Sequence, residues 1–272
     1  MPFLSSDAVR LYYEEVGSGE TLIFAHEFGG DVRSWEAQMR FFGRYFRCIA
    51  FNARGYPPSD VPQQPSAYRQ EIASVDLLHV LDELQIDRAH IVGLSMGSVT
   101  TLDFALRYPS RARSITVCGC GYGSIAAERK AWLESNEVMA DSLVIDLPQT
   151  VRAYANGPTR LPYRRKDPRG WQAFIDQMAT LDPTGASLTL RGIQAKRPSL
   201  YDFADRLRVL AVPTLIVVGD EDQPALEPSL FLKRVIPDAA LWVLPRTGHA
   251  VNTEEPALFN RALLDFLFSV KN

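Results

Sequence analysis

The sequence predicts an α/β fold: a doubly wound, mostly parallel β-sheet carrying one inserted helical segment. Three observations predict it. Short apolar runs of about four to eight residues, the length of buried strands, recur along the chain. Helical patterns lie between several of these runs, and strand–helix–strand alternation implies parallel neighbours joined by right-handed crossovers. From about residue 121 to residue 212 the alternation stops, and no convincing strand is found there.

Strands are expected at residues 9–15, 21–25, 48–51, 90–93, 114–118, 214–219 and 241–244, each an apolar run bounded by turn residues. Helices are expected at residues 69–84, 96–108, 226–235 and 256–267. The intervening stretch reads as helices broken at Pro148, Pro158, Pro162, Pro168 and Pro183. An insertion between strands of a parallel sheet emerges over one edge, and ligands bind at the carboxyl ends of the strands. The segment is therefore expected to cap a pocket. This divides the chain into a core, residues 1–120 and 213–272, and a helical cap or lid, residues 121–212.

Composition narrows the class. The 272 residues are 46% hydrophobic and 22% charged with a formal net charge of -3, so no basic excess suits nucleic acid or a membrane surface. The cysteines Cys48, Cys118 and Cys120 lack pairing or metal-ligand spacing. Cys118 and Cys120, two apart in an expected strand, would share a face and not bridge. No apolar run approaches membrane-spanning length, and the first residues lack the pattern of a secretory leader. The expectation is a cytoplasmic protein, monomer or homodimer, with a small-molecule substrate and no cofactor, metal, nucleic-acid or membrane partner.

The chemistry is written in "HIVGLSMGSVTTLDFALRYP". A strand runs into Gly93, Leu94, Ser95, Met96 and Gly97, and a helix follows at once. Gly-x-Ser-x-Gly in strand–turn–helix context is a nucleophile elbow, its glycines allowing the strand and helix backbones to approach. A serine needs a base. His249, in "LPRTGHAVNTEEP", lies on the loop after the last strand, where a base belongs; His79 and His90 fall within elements and read as structural. The acid should follow the preceding strand, where "GDED" offers Asp220, Glu221 and Asp222. Asp222 is selected because the chain must travel beyond Gly219 to reach an imidazole. Asp220, the runner-up, is placed to brace the turn.

The stretches "HEFGG", "NARGYPPSD", "GLSMG", "GDED" and "GHAVNTEEP" occur in this order over nearly the whole chain. Together they resemble the α/β-hydrolase superfamily, most closely its carboxylesterases and enol-lactone hydrolases with a helical cap. Serine at the elbow sets the chain apart from members that use aspartate there. The resemblance implies an oxyanion hole made by the backbone N–H groups of Phe28 and Met96, with His26 bracing the loop. It implies hydrolysis of a carboxylic ester or lactone through an acyl-enzyme of Ser95, His249 and Asp222. The alternatives are hydrolysis of a carbon–carbon bond or perhydrolysis by the same residues, or a hydrolase-derived small-molecule receptor. Two residues depart from the family pattern: Glu27 and Pro57 stand where glycine is usual. Glu27 is expected to have an ordinary backbone and to turn its carboxylate away from the oxyanion hole, toward a basic or backbone donor in a surface or partly buried contact. The aromatics and arginines Trp132, Tyr154, Tyr163, Arg164, Arg165, Trp171 and Phe174 of the cap suit an anionic or aromatic substrate, or, for the arginines, a solvated outer face.

Overall fold

The computed structural model describes residues 2–270. Its strands are β1 (Phe3–Ser6), β2 (Val9–Val16), β3 (Thr21–Ala25), β4 (Arg47–Phe51), β5 (Ala89–Leu94), β6 (Ala112–Cys118), β7 (Thr214–Gly219) and β8 (Ala239–Leu244). They form one sheet in the order β1-β2-β4-β3-β5-β6-β7-β8. The β1–β2 and β2–β4 pairs are antiparallel, and every pair from β4 to β8 is parallel. Every expected strand is present. β1 is an addition: it has four residues, two of them serine, and so offers no apolar run.

The helices are α1 (Glu36–Phe42), α2 (Gln70–Glu83), α3 (Met96–Arg107), α4 (Ala126–Ile145), α5 (Leu147–Ala155), α6 (Leu161–Lys166), α7 (Pro168–Met178), α8 (Pro183–Thr189), α9 (Ala204–Arg208), α10 (Gln223–Val235), α11 (Val251–Glu254) and α12 (Pro256–Ser269). β3, β5 and β7 are buried along their whole length because helices cover both faces of the sheet. Alternate strand residues serve the two layers. Ile23, Ile91, Val117 and Ile216 pack with Leu81 of α2, Leu102 of α3 and Leu232 of α10. Leu22, Phe24, Val92 and Val217 pack with Phe42 of α1 and Leu263 of α12. The three cysteines are free and buried. Cys118 and Cys120 do not share a face: β6 ends at Cys118 and Gly119 turns the chain at φ +55°, so Cys118 joins one layer and Cys120 the other.

Between β6 and β7 the described residues form helices and turns only. Pro148, Pro158, Pro162, Pro168 and Pro183 each occupy the first turn of a helical element, where a fixed φ and a missing N–H cost nothing. Asp146, Asp167 and Asp182 cap three of these starts by accepting from the amides of Gln149, Gly170 and Gly185. A third apolar cluster joins this segment to the carboxyl ends of the strands, with Leu143, Val151, Phe174 and Leu190 against Phe28, Met96 and Ala250. No helix among the described residues is long and apolar enough to cross a membrane.

Candidate active site

Ser95 alone makes the turn from β5 to α3, at φ 53° and ψ -109°, a conformation costly for a residue with a β-carbon. Its amide donates to the Cys118 carbonyl at 2.8 Å, which ties the turn to β6. The flanking glycines are sterically required. A β-carbon on Gly93 would lie 2.2 Å from the Gly97 carbonyl oxygen, and one on Gly97 would lie 2.1 Å from that of Ala25.

His249 stands on the loop between β8 and α11. Its Nδ1 is 2.8 Å from Asp222 Oδ2, and both side chains are buried. Nδ1 donates this bond, since a carboxylate only accepts, which leaves Nε2 as the acceptor nitrogen. The other Asp222 oxygen, Oδ1, accepts from the Tyr122 hydroxyl at 2.5 Å, and the Tyr122 ring centroid lies 4.6 Å from that of His249. Burial, with the Asp222 charge, pushes the Tyr122 hydroxyl well above its ordinary pKa, so it stays a donor. Asp220 does other work: its Oδ1 accepts from the Thr247 amide at 3.1 Å and holds the loop that leads to His249. Glu254 accepts from the amides on either side of the histidine, Gly248 at 2.9 Å and Ala250 at 3.1 Å.

Ser95 and His249 line one cavity of about 430 Å³, together with Phe28, Tyr122, Trp132 and Tyr154. Of the four histidines only His249 lines it. His26 is committed at both ring nitrogens: Nδ1 donates to the Glu27 carbonyl at 2.7 Å and Nε2 accepts from the Ala53 amide at 3.0 Å. Burial lowers its pKa and keeps it neutral. His79 and His90 bond the serine hydroxyls of Ser6 and Ser114. The backbone amides of Phe28 and Met96 donate to no group among the described residues. Glu27 is not among the residues of positive φ; the turn is made by Gly29 at φ +81°.

The Glu27 carboxylate pairs with Arg160, which donates from Nη1 to Oε1 at 3.1 Å and from Nη2 to Oε2. The pair is more deeply set than sequence reasoning expected, with Arg160 and Glu27 exposed by only 2% and 3%. Burial alone would lower the Arg160 pKa, but the Glu27 charge carries it well above the usual value. The guanidinium also donates to Tyr154 and lies 4.8 Å from the Phe174 ring centroid. Neighbouring residues extend this docking. The Thr159 carbonyl accepts from the His249 amide at 2.9 Å, Arg165 pairs with Glu221, and Lys166 reaches Thr247 and Glu255. Segment 159–166 thus touches the loops that carry Phe28, Asp222 and His249.

Of the aromatics and arginines expected near a substrate, Trp132 and Tyr154 line the cavity. Arg164 lies over Trp171 and Arg165 pairs outside. Two residues were missed. Tyr122 carries no pattern beyond its position at the mouth of β6. Arg197, which lines the cavity, lies far from every motif.

A model of the α/β hydrolase fold matches residues 20–256. The chain belongs to the α/β-hydrolase family. It is an enzyme of that family, and the relatives it matches over nearly its full length include hydrolases and a lactonase, and also a putative 2-succinyl-6-hydroxy-2,4-cyclohexadiene-1-carboxylate synthase of Bacillus subtilis. It is 28% identical over 267 residues to a 2-hydroxy-6-oxo-6-phenylhexa-2,4-dienoate hydrolase of Burkholderia cepacia, covering 95% of this chain and 91% of the other. It is 24% identical over 263 residues to 3-oxoadipate enol-lactonase 2 of Acinetobacter baylyi, covering 96% and 94%. In shape this hydrolase resembles the enol-lactonase of Burkholderia xenovorans LB400, with a TM-score of 0.84 at 23% identity over 98% of this chain and 100% of the other.

Proposed function

We propose that this hydrolase cleaves a carboxylic ester or lactone through an acyl-enzyme on Ser95. The observation that carries the reading is the His249–Asp222 bond of 2.8 Å beside a cavity shared with the strained serine. Ser95 Oγ attacks the carbonyl while His249 Nε2 takes its proton, and Asp222 holds the imidazole tautomer and stabilises the imidazolium. The Phe28 and Met96 amides receive the oxyanion; loss of one such donor costs roughly 3 kcal/mol of transition-state stabilisation. The imidazolium then protonates the leaving oxygen, and His249 activates water to release the acid. In this reading residues 121–212 are a cap that closes the cavity over a core of residues 1–120 and 213–272. A likeness to an enol-lactonase over most of both chains supports the substrate class.

The relatives named for oxo-dienoates favour a second reading, hydrolysis of a carbon–carbon bond beside a ketone by the same residues. One experiment tests both. The enzyme is labelled with a fluorophosphonate, mapped by peptide mass, and assayed on aryl esters, lactones and an oxo-dienoate. Labelling at Ser95 with turnover of esters or lactones is the expected result. Labelling with turnover of the dienoate alone selects the second reading, and absence of labelling at Ser95 defeats both.

A further inference from the structure

We propose that Arg197, assisted by Gln194, is a carboxylate-binding subsite of the catalytic cavity, so that the preferred substrate carries an anionic carboxylate apart from its scissile carbonyl. This rests on the hydrolytic reading above and adds to it the charge of the substrate.

Arg197 and Gln194 both line the cavity that holds Ser95 and His249. Gln194 closes a π-helical turn, Leu190–Gln194, that continues α8; such turns recur at functional sites. Arg197 is 5% exposed. Its Nη2 donates to the Tyr122 carbonyl at 2.8 Å, and its guanidinium lies 5.1 Å from the Trp132 ring centroid. Its Nη1 is buried without a hydrogen-bond partner, and so is Gln194 Oε1. The Gln194 amide engages no other group among the described residues, so its N–H donors are free for a ligand.

No carboxylate among the described residues pairs with Arg197. Glu128, the acidic residue in the cavity lining, is exposed. Arg197 also walls a smaller cavity of about 110 Å³ that includes Asp103, but Asp103 is taken by Arg107 at 2.6 Å and Ser74 at 2.7 Å. Arg129 adds positive charge, donating to the Arg197 carbonyl. Burial pulls the Arg197 pKa down to about 10, which leaves it protonated at neutral pH. A buried charge without a partner is strongly unfavourable. Nη2 is held by the Tyr122 carbonyl, so the unmet donor of the guanidinium is Nη1, and a ligand carboxylate in the cavity would complete it with a charge-assisted hydrogen bond.

The test compares two matched pairs of aryl-type esters that differ only in a carboxylate, one pair bearing it on the acyl side and one on the alcohol side. For the first pair, para-nitrophenyl hydrogen adipate is set against para-nitrophenyl hexanoate. The wild-type enzyme is expected to favour the anionic member of at least one pair by about tenfold or more in kcat/KM, the worth of one charge-assisted hydrogen bond, expressed in KM. Arg197→Gln should lower that anionic-to-neutral ratio by about tenfold or more, and Gln194→Leu by less. A second measurement needs only the wild type: adipate should compete with a neutral ester, whereas adipamide should not. The proposal is overturned if neither pair shows a preference, if Arg197→Gln depresses both members with the ratio unchanged, or if adipate and adipamide behave alike. Failure of the hydrolytic reading looks different: neither member turns over and Ser95 is not labelled.

Discussion

Arg160 and Arg197 both come from the helical segment between β6 and β7, both are buried, and both lie against aromatic rings. They end in opposite electrostatic states. Arg160 meets Glu27 at two oxygens, and its pKa rises well above the ordinary value in spite of burial. Arg197 meets a carbonyl and a tryptophan face, so burial prevails and its pKa falls to about 10. The partner, and not the depth, decides what a buried guanidinium does. Arg160 is complete within the chain and acts as a brace between the helical segment and the loop after β3 that carries Glu27. Arg197 is incomplete, and its missing partner has to arrive with a ligand.

That contrast matters only if the cavity is catalytic. Ser95→Ala is expected to reduce ester turnover by at least ~10³-fold, as loss of a triad nucleophile does. Retained turnover in the purified variant would remove the reason for assigning Arg197 to a substrate. Asp222→Asn should cost ~10³- to 10⁴-fold, because the imidazole loses its productive tautomer. Asp220→Asn should mainly cost stability, about 1 kcal/mol for a weakened acceptor of the Thr247 amide. If Asp220→Asn proved the crippled enzyme, the two carboxylates would have to exchange roles.

The brace itself is tested by stability. Arg160→Met leaves the Glu27 carboxylate buried and alone, and urea denaturation should report a loss of about 3–5 kcal/mol. Adding Glu27→Gln should recover part of it. A single variant as stable as the wild type would erase the distinction between the two arginines. The smallest effect belongs to Arg165, whose pair with Glu221 is exposed. Arg165→Ala is expected to leave the urea midpoint and the anionic-to-neutral rate ratio where they were, and a changed ratio would move the anion subsite outward.

Much of this was legible in the chain because it is local. The strands announced themselves as apolar runs, and the elbow glycines are demanded by contacts that Gly93 and Gly97 make within one strand–turn–helix unit and its neighbour. The prolines between β6 and β7 marked breaks correctly, since a residue that cannot sit inside a helix is well suited to begin one. What was not legible depends on distance along the sequence. Glu27 stood out as a carboxylate in place of a glycine, but its partner lies 133 residues away. Tyr122 and Arg197 were invisible for the same reason. Their significance comes from what folding sets beside them: Asp222 a hundred residues on for the tyrosine, and for the arginine the absence of any acid. β1 escaped because half of it is serine, and edge strands need no continuous apolar run.

The docking of segment 159–166 bears on how such enzymes can be recombined. A helical segment grafted from a relative would bring its own residue opposite Glu27 and its own backbone against the His249 amide. A graft that begins in the turn before residue 157 and runs on through residue 166 would therefore strip the recipient loops of their partners. Points that exchange only α4 and α5 would leave those contacts intact. Chimeras of the second kind are expected to be recovered as folded protein, and chimeras of the first kind only when Glu27 is replaced together with the graft, an outcome that soluble yield and thermal melting would read directly.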